Sequence, residues 1–333
     1  MIGHEWAVQL LQEHVAKQRV RHAYLVTGPL GVGRRTLALG LAQALNCPQP
    51  KAPGQPCLEC STCRRIREMT YPDLHVVQAE LVGGLLKVDQ VRELQRSLAL
   101  TPYEGKYRVA VLLRFEEANP NAANALLKTL EEPNSQVVLV LTAESAEALL
   151  PTIVSRCEVL RLHPLTPQVV EKALESQWGL PDEQARLLAH VSDGRPGYAL
   201  RLHQQPELFE QRQSWLEELT QLLASSRVER FTFADKMAKA KDKEALRSML
   251  LTWLSFWRDV LLAASGAAES GGVACSNLDW LPQVQAQAER LTLAQAQGIV
   301  CRVQETMELI NRNVNTRLAL EVLMLDLPHP MDR

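Results

Sequence analysis

Over the first half of the chain, two hydrophobic patterns take turns. Short apolar runs predict strands at Ala23 to Thr27, Leu74 to Gln78, Arg108 to Leu113, Val137 to Thr142 and Cys157 to Leu162. Between them, apolar residues spaced three and four apart predict helices. The first is a lead-in over residues 1–20, with Trp6, Leu10, Leu11 and Val15 on one face. The next is Arg34 to Leu45, with Leu37, Leu41 and Leu45 on its apolar side. Val88 to Leu100 follows, with Asp89 placed to cap it or to favour its positive end. Asn119 to Leu130 is stopped by Pro133, and Ala146 to Val154 is mostly helical. Strands alternating with helices predict a parallel α/β sheet covered on both faces. After His163 to Pro167 the strand signals stop. Thr166 to Gln204 reads as a small helical unit, Pro206 onward as several amphipathic helices, and Ala263 to Gly272 as a mobile, low-complexity loop.

Composition changes this picture little. With 333 residues, 46% hydrophobic and 22% charged, the chain is an ordinary globular protein long enough for two or three domains. A net charge of −2 gives no global basic field of the kind nucleic-acid binders carry. The most apolar long run, Leu246 to Ala264, contains Arg247, Arg258 and Asp259, which argues for a buried helix and against a membrane span. Met1 to Trp6 lacks the basic-then-apolar pattern of a signal peptide. The seven cysteines then suit a reducing, cytoplasmic setting, where cysteine clusters more often bind metal than form disulfides.

Two stretches carry candidate chemistry. Gly28-Pro-Leu-Gly31-Val-Gly33 lies between a strand and a helix, with Gly28 and Gly33 at the spacing of a phosphate-binding loop. Such a loop needs a lysine and then a hydroxyl, and here those positions are Arg34 and Arg35. Thr36 comes one residue late, turned about 100° round the helix. A planar guanidinium does not substitute for a compact ammonium, although the two arginines can still attract anions. The alternative is a plain strand–helix turn with no ligand. The second stretch is Cys47-x9-Cys57-x2-Cys60-x2-Cys63, in a segment rich in proline. Four thiolates at these spacings suit a tetrahedral structural zinc with no open position for a catalytic water. Incidental thiols, a redox pair and an iron–sulfur cluster are the alternatives.

Three further motifs bring a resemblance. Asn124-Ala-Leu-Leu-Lys-Thr-Leu-Glu-Glu-Pro133, Thr152-Ile-Val-Ser-Arg-Cys157 and Lys87-Val-Asp-Gln-Val-Arg92 resemble AAA+ clamp-loader subunits of bacterial replicative DNA polymerase, as does the four-cysteine insert. The resemblance covers essentially the whole chain and is strongest over residues 20–165. It implies an AAA+ domain over 1–165 with a zinc module at 46–66, a helical lid over 166–205 and an all-α collar over 206–333. Active family members carry an acidic pair after the third strand, which here is Leu113 and Arg114; Glu116 and Glu117 lie two or three residues further on. They also carry a lid arginine where this chain has Gly197. With Gly28, Gly31, Gly33, Arg34 and Arg35 as a degenerate loop, the resemblance implies weak or no ATP binding and no intrinsic hydrolysis.

What is retained is Ser155-Arg156-Cys157. In the family this arginine points across an interface at a neighbour's ATP, a finger acting in trans; the alternative is a surface arginine in an ion pair. Thr142 matches a polar sensor position, and Lys128 has the spacing to pair with Glu131 or Glu132. The partners implied are the tau/gamma ATPase subunits, the delta subunit and, through the complex, the sliding clamp and primed DNA. The C-terminal helix offers two apolar stripes, Leu318, Val322 and Leu325 on one and Leu320, Leu323 and Met324 on the other. With Trp253, Phe256 and Trp257, these suit either burial between partners or one large internal core. Two rival functions remain: an ATPase using an unusual Arg34/Glu116 site, and a DNA-binding module built on the cysteine loop with Arg64, Arg65 and Arg67.

Overall fold

The structure is a computed structural model that describes residues 1–80, 84–240, 242–266, 274–312 and 314–328. It divides into two compact units. One holds residues 1–173 and 194–198, the other residues 174–193 and 199–333.

The first unit opens with α1 (Glu5–Ala16), β1 (Ala23–Thr27), α2 (Arg34–Asn46) and α3 (Ser61–Arg67). It continues through β2 (Leu74–Val77), α4 (Val88–Leu98), β3 (Arg108–Leu112), α5 (Pro120–Glu131), β4 (Val137–Ala143), α6 (Pro151–Val154) and β5 (Glu158–Arg161). The strands form a parallel five-stranded sheet in the order β2-β3-β4-β1-β5. All residues of β1, β3 and β4 are buried, because helices cover both faces. Successive residues supply opposite layers: Tyr24 and Val26 pack with Leu37 and Leu41 of α2, whereas Ala23 and Leu25 pack with Leu94 of α4 and Leu126 of α5.

Local chemistry sets the helix ends. Asn119 caps α5 by accepting from the Ala122 N–H at 2.8 Å, and Pro120 follows at the first turn. Lys87, not Asp89, is the cap residue of α4; the Gln90 side chain accepts its backbone N–H at 3.0 Å, and Asp89 pairs with Arg92 at 3.6 Å. Two expectations need correcting. Trp6 is 49% exposed, whereas Leu10, Leu11 and Val15 of the expected face do pack on the core, with Ala7 in place of Trp6. Of Ala146 to Val154 only Pro151–Val154 is helical, because the short run before Pro151 is spent turning the chain from β4.

The remaining helices are α7 (Pro167–Trp178), α8 (Asp182–Val191), α9 (Pro196–Gln204), α10 (Pro206–Ala224), α11 (Arg227–Ala240), α12 (Lys243–Ala264), α13 (Leu281–Ala288), α14 (Leu293–Asn311) and α15 (Thr316–Asp326). Of the stretch expected as a loop, α12 takes in Ala263 and Ala264, and residues 267–273 lie outside the described residues. The second unit has its own core, centred on Trp253, Phe256 and Trp257 of α12 with Leu216 of α10, Val303 of α14 and Leu320 of α15. These aromatic rings are therefore internal, and no more than 2% of any of them is exposed. Buried Arg230 ties down the end of α15, donating to the carbonyls of Leu222, Met324 and Leu327 at 2.9, 3.0 and 2.8 Å. Among the described residues, no helix is long and apolar enough to cross a membrane.

Candidate functional site

The glycine loop sits at the carboxyl end of β1, between β4 and β5, where open parallel sheets place their ligands. Gly28, Gly31 and Gly33 have φ of 143°, 89° and 115°. At Gly28 the requirement is also steric, since a Cβ there would run into the Leu162 carbonyl oxygen. The backbone scaffold of a phosphate loop is thus present, and the arginine in the lysine position faces the chain's own carboxylate. Arg34 is 6% exposed and lies 3.9 Å from the Glu116 carboxylate. Burial raises the Glu116 pKa, with the Arg34 charge acting against it. Arg35 and Thr36 point outward and are exposed.

The other nucleotide-handling positions are altered in space as well as in sequence. Leu113 is buried in the core. Arg114 takes a left-handed conformation, donates its backbone N–H to the Thr142 hydroxyl at 2.9 Å and pairs with Glu117 at 2.9 Å. Thr142 therefore accepts from its own chain. At the position expected for a lid arginine, the Gly197 N–H donates to the Gly31 carbonyl at 2.8 Å. The start of α9 thus lies directly on the glycine loop, and Gly197 is close enough that a Cβ would meet the Gly31 carbonyl oxygen at 2.8 Å.

The structure brings the four cysteines together. Their sulfur atoms all lie within 4.8 Å of one another, with Cys47 to Cys57 at 3.5 Å and Cys57 to Cys63 at 3.9 Å. A tetrahedral ion with metal–sulfur bonds of about 2.3 Å would set sulfur pairs close to these separations. The cluster can hold a metal ion. Backbone N–H groups of Cys57, Cys60 and Cys63 donate to sulfur at 3.4, 3.3 and 3.4 Å, which favours thiolates. The Cys60 and Glu59 N–H groups lower the Cys57 pKa to about 6, whereas burial raises that of Cys63. Two α2 side chains anchor this region, one to the loop itself and one to the segment before β3. Gln43 donates to the Cys63 carbonyl at 2.8 Å, and Asn46 bonds the backbone of Lys106 and Tyr107.

Arg156 lies away from the glycine loop. β1 and β5 are parallel with Tyr24 opposite Glu158, so Arg156, before Glu158, is at the amino end of the sheet and Gly28 is at the carboxyl end. Four strand steps, about 13 Å, separate the levels of Glu158 and Gly28. Arg156 donates to Glu131 Oε1 and to the Thr152 carbonyl, both at 2.8 Å, and Ser155 Oγ donates to the same carbonyl at 3.2 Å. Glu131 is thus taken by Arg156, and Lys128 forms no ion pair among the described residues. Sequence spacing did not reveal the Glu131 contact, because the two residues are 25 apart. The strand order could have done so, since each precedes one of the two strands that flank β1.

Comparison with known proteins agrees over both units. A family model for the DNA polymerase III delta subunit matches residues 3–166, and one for the C-terminal part of that subunit matches residues 206–329. DNA polymerase III subunit delta′ of Bacillus subtilis is 32% identical over 96% of this chain and 94% of its own length. That of Pseudomonas aeruginosa is 33% identical, covering 98% of each chain. A DNA polymerase III gamma subunit-related protein of Thermotoga maritima has the same fold, with a TM-score of 0.51 at 17% identity over 96% of this chain and 97% of that one. With a parallel AAA+ sheet, a four-cysteine cluster and near full-length similarity, the chain belongs to the DNA polymerase III delta′ subunit family.

Proposed function

We propose that the chain is the non-hydrolysing member of a clamp-loader ring and acts on a neighbour's ATP through Arg156. The observation that carries this reading is the buried Arg34–Glu116 contact in the glycine loop. The cation that would face the outer phosphates is turned onto the chain's own carboxylate, and that carboxylate is the one an unusual ATPase site would need. Leu113, Arg114 and Gly197 support the same reading, because none of them supplies a magnesium ligand or a phosphate-sensing charge. Arg156 stays 35% exposed at the opposite end of the sheet, out of reach of its own loop and open to a partner. Ser155 closes the turn that presents it. A guanidinium there would stabilise charge developing on the transferred phosphoryl group, an effect on the order of 10³-fold or more.

The other parts fit a rigid subunit. The four cysteines would hold a structural zinc, whose ligand set leaves no open position. Residues 206–333 would form the collar: Leu318, Val322 and Leu325 are 56, 49 and 53% exposed on α15, an apolar stripe available to neighbouring subunits, while Leu320, Leu323 and Met324 are buried. The tau/gamma ATPase subunits and the delta subunit would be the neighbours, with clamp and primed DNA engaged through the assembly.

The test is ATP hydrolysis by cognate ATPase subunits reconstituted with this chain, clamp and primed DNA, compared with its Arg156→Ala form. The expected result is a silent isolated chain and a variant that assembles normally but slows the complex. Turnover by the isolated chain would refute the dead site, and normal turnover with Arg156→Ala would reduce Arg156 to a structural role.

A further inference from the structure

The cysteine loop does more than enclose a metal-sized space. With α1 and α2 it walls a groove of about 560 Å³, within the size range of ligand and side-chain pockets. Three cations line the groove: Arg35 from α2, Lys51 from the loop and Arg67 from the end of α3. All three are exposed, and none makes an ion pair or side-chain hydrogen bond among the described residues. Among the described residues, no acidic one lines the groove. The rest of the lining is largely apolar, including Val8, Leu39 and Leu58, the last 52% exposed.

The floor holds a second observation. Gly40 lies in the middle of α2, one turn beyond Thr36, and a Cβ built on it would meet nothing within 4 Å. A glycine inside a helix destabilises it relative to alanine, and here no internal packing requires one. The missing side chain leaves room on the groove side. The opposite wall is fixed in place: the turn from Lys51 to Gln55 is closed by backbone hydrogen bonds of 2.9 and 2.8 Å, and Gly54 packs on the Gln12 carbonyl of α1.

We propose that this groove docks an acidic segment of a partner protein, which sets an apolar side chain over Gly40 and carboxylates against Arg35, Lys51 and Arg67. Charge complementarity sets the sign of the partner, because three cations without ion-pair partners, in a lining that holds no acid, attract an anion and repel a basic chain. The lining chooses between anions. It contains no aromatic ring on which a base could stack, and its apolar walls would desolvate a phosphodiester backbone without replacing its water. A peptide that alternates carboxylates with aliphatic side chains satisfies both the rim and the floor.

The test uses the full chain, immobilised, with a phage-displayed library of random peptides as the probe. Enriched peptides should combine carboxylates with an apolar residue. A fluorescein-labelled synthetic copy should bind in solution, more weakly as salt rises. Its Kd should increase at least about tenfold in Lys51→Glu/Arg67→Glu and again in Gly40→Trp, which places a ring on the floor from a position where a Cβ meets nothing within 4 Å. Circular dichroism of each variant should match that of the parent. The proposal is overturned if no peptide is enriched, if enrichment shows no acidic bias, or if the variants bind the peptide unchanged. It is also overturned if single-stranded DNA binds at the groove in preference to the peptide.

Discussion

Replacing Glu131 by alanine should speed ATP hydrolysis by an assembly containing this chain, and only by a small factor. For Arg156 to act on a neighbour's phosphate, its bond to Glu131, 2.8 Å long, has to open. The two side chains are 35 and 51% exposed, so water screens the pair and its worth is that of a surface ion pair, about 0.2–1 kcal/mol. At about 1.4 kcal/mol per factor of ten, releasing Arg156 gives an increase of about 1.4- to 5-fold. Arg156→Ala should instead cost on the order of 10³-fold, about 4 kcal/mol, so the gain in the transition state outweighs the cost of leaving Glu131. Rapid-quench single-turnover hydrolysis by the reconstituted assembly at saturating ATP separates these effects. The gain should shrink as added salt shortens the Debye length to about 8 Å and below. The KM for ATP should hold constant, because Arg156 is assigned to the transition state and not to ground-state binding. A fall of more than about tenfold in Glu131→Ala would refute the reasoning and make Glu131 the group that aims the arginine.

Rebuilding the glycine loop as Arg34→Lys/Arg35→Thr should leave the isolated chain without ATP turnover, because Leu113 and Arg114 still stand where carboxylates would hold magnesium; phosphate-release assays showing turnover would contradict this. Chelation should release about one equivalent of the proposed zinc per chain and lower the thermal unfolding midpoint, since an ion bound there would join the four cysteine sulfurs across a loop with little core of its own; an unchanged midpoint after verified metal loss would count against a structural ion. Asp73→Asn should cost about 1–3 kcal/mol in denaturant unfolding, because both carboxylate oxygens accept backbone N–H groups, from Tyr103, Glu104 and Gly105, and an amide NH2 cannot. Burial pushes the Asp73 pKa up, but those N–H groups and Arg108 outweigh it and hold it below the ordinary value of 3.8. The stability it adds is therefore complete above about pH 4 and lost as pH falls below that, so the wild-type and variant unfolding curves should converge in acid.

Much of the framework follows from local sequence. The apolar runs Ala23 to Thr27, Arg108 to Leu112 and Val137 to Ala143 are unbroken because both their faces are covered, which is why the sequence alone marks them as parallel strands. Asn119 and Pro120 open α5 by hydrogen bonding and by a fixed φ, both properties of the residues themselves. The glycines of the loop and the spacing of Cys47, Cys57, Cys60 and Cys63 are of the same kind: positive φ and short cysteine turns are local matters, so the sequence marks them directly. Tertiary structure decided whom each charge meets and which apolar face is used. Arg34 and Glu116 lie far apart in the chain and become neighbours only because β1 and β3 feed the same end of one sheet. Glu131 finds Arg156, not Lys128, for the same reason at the other end. Periodicity put Trp6 on the apolar face of its helix and left the aromatic residues of α12 open to either use. The packing exposes the first and encloses the others, because burial depends on what stands opposite a helix, and residues distant in sequence supply that.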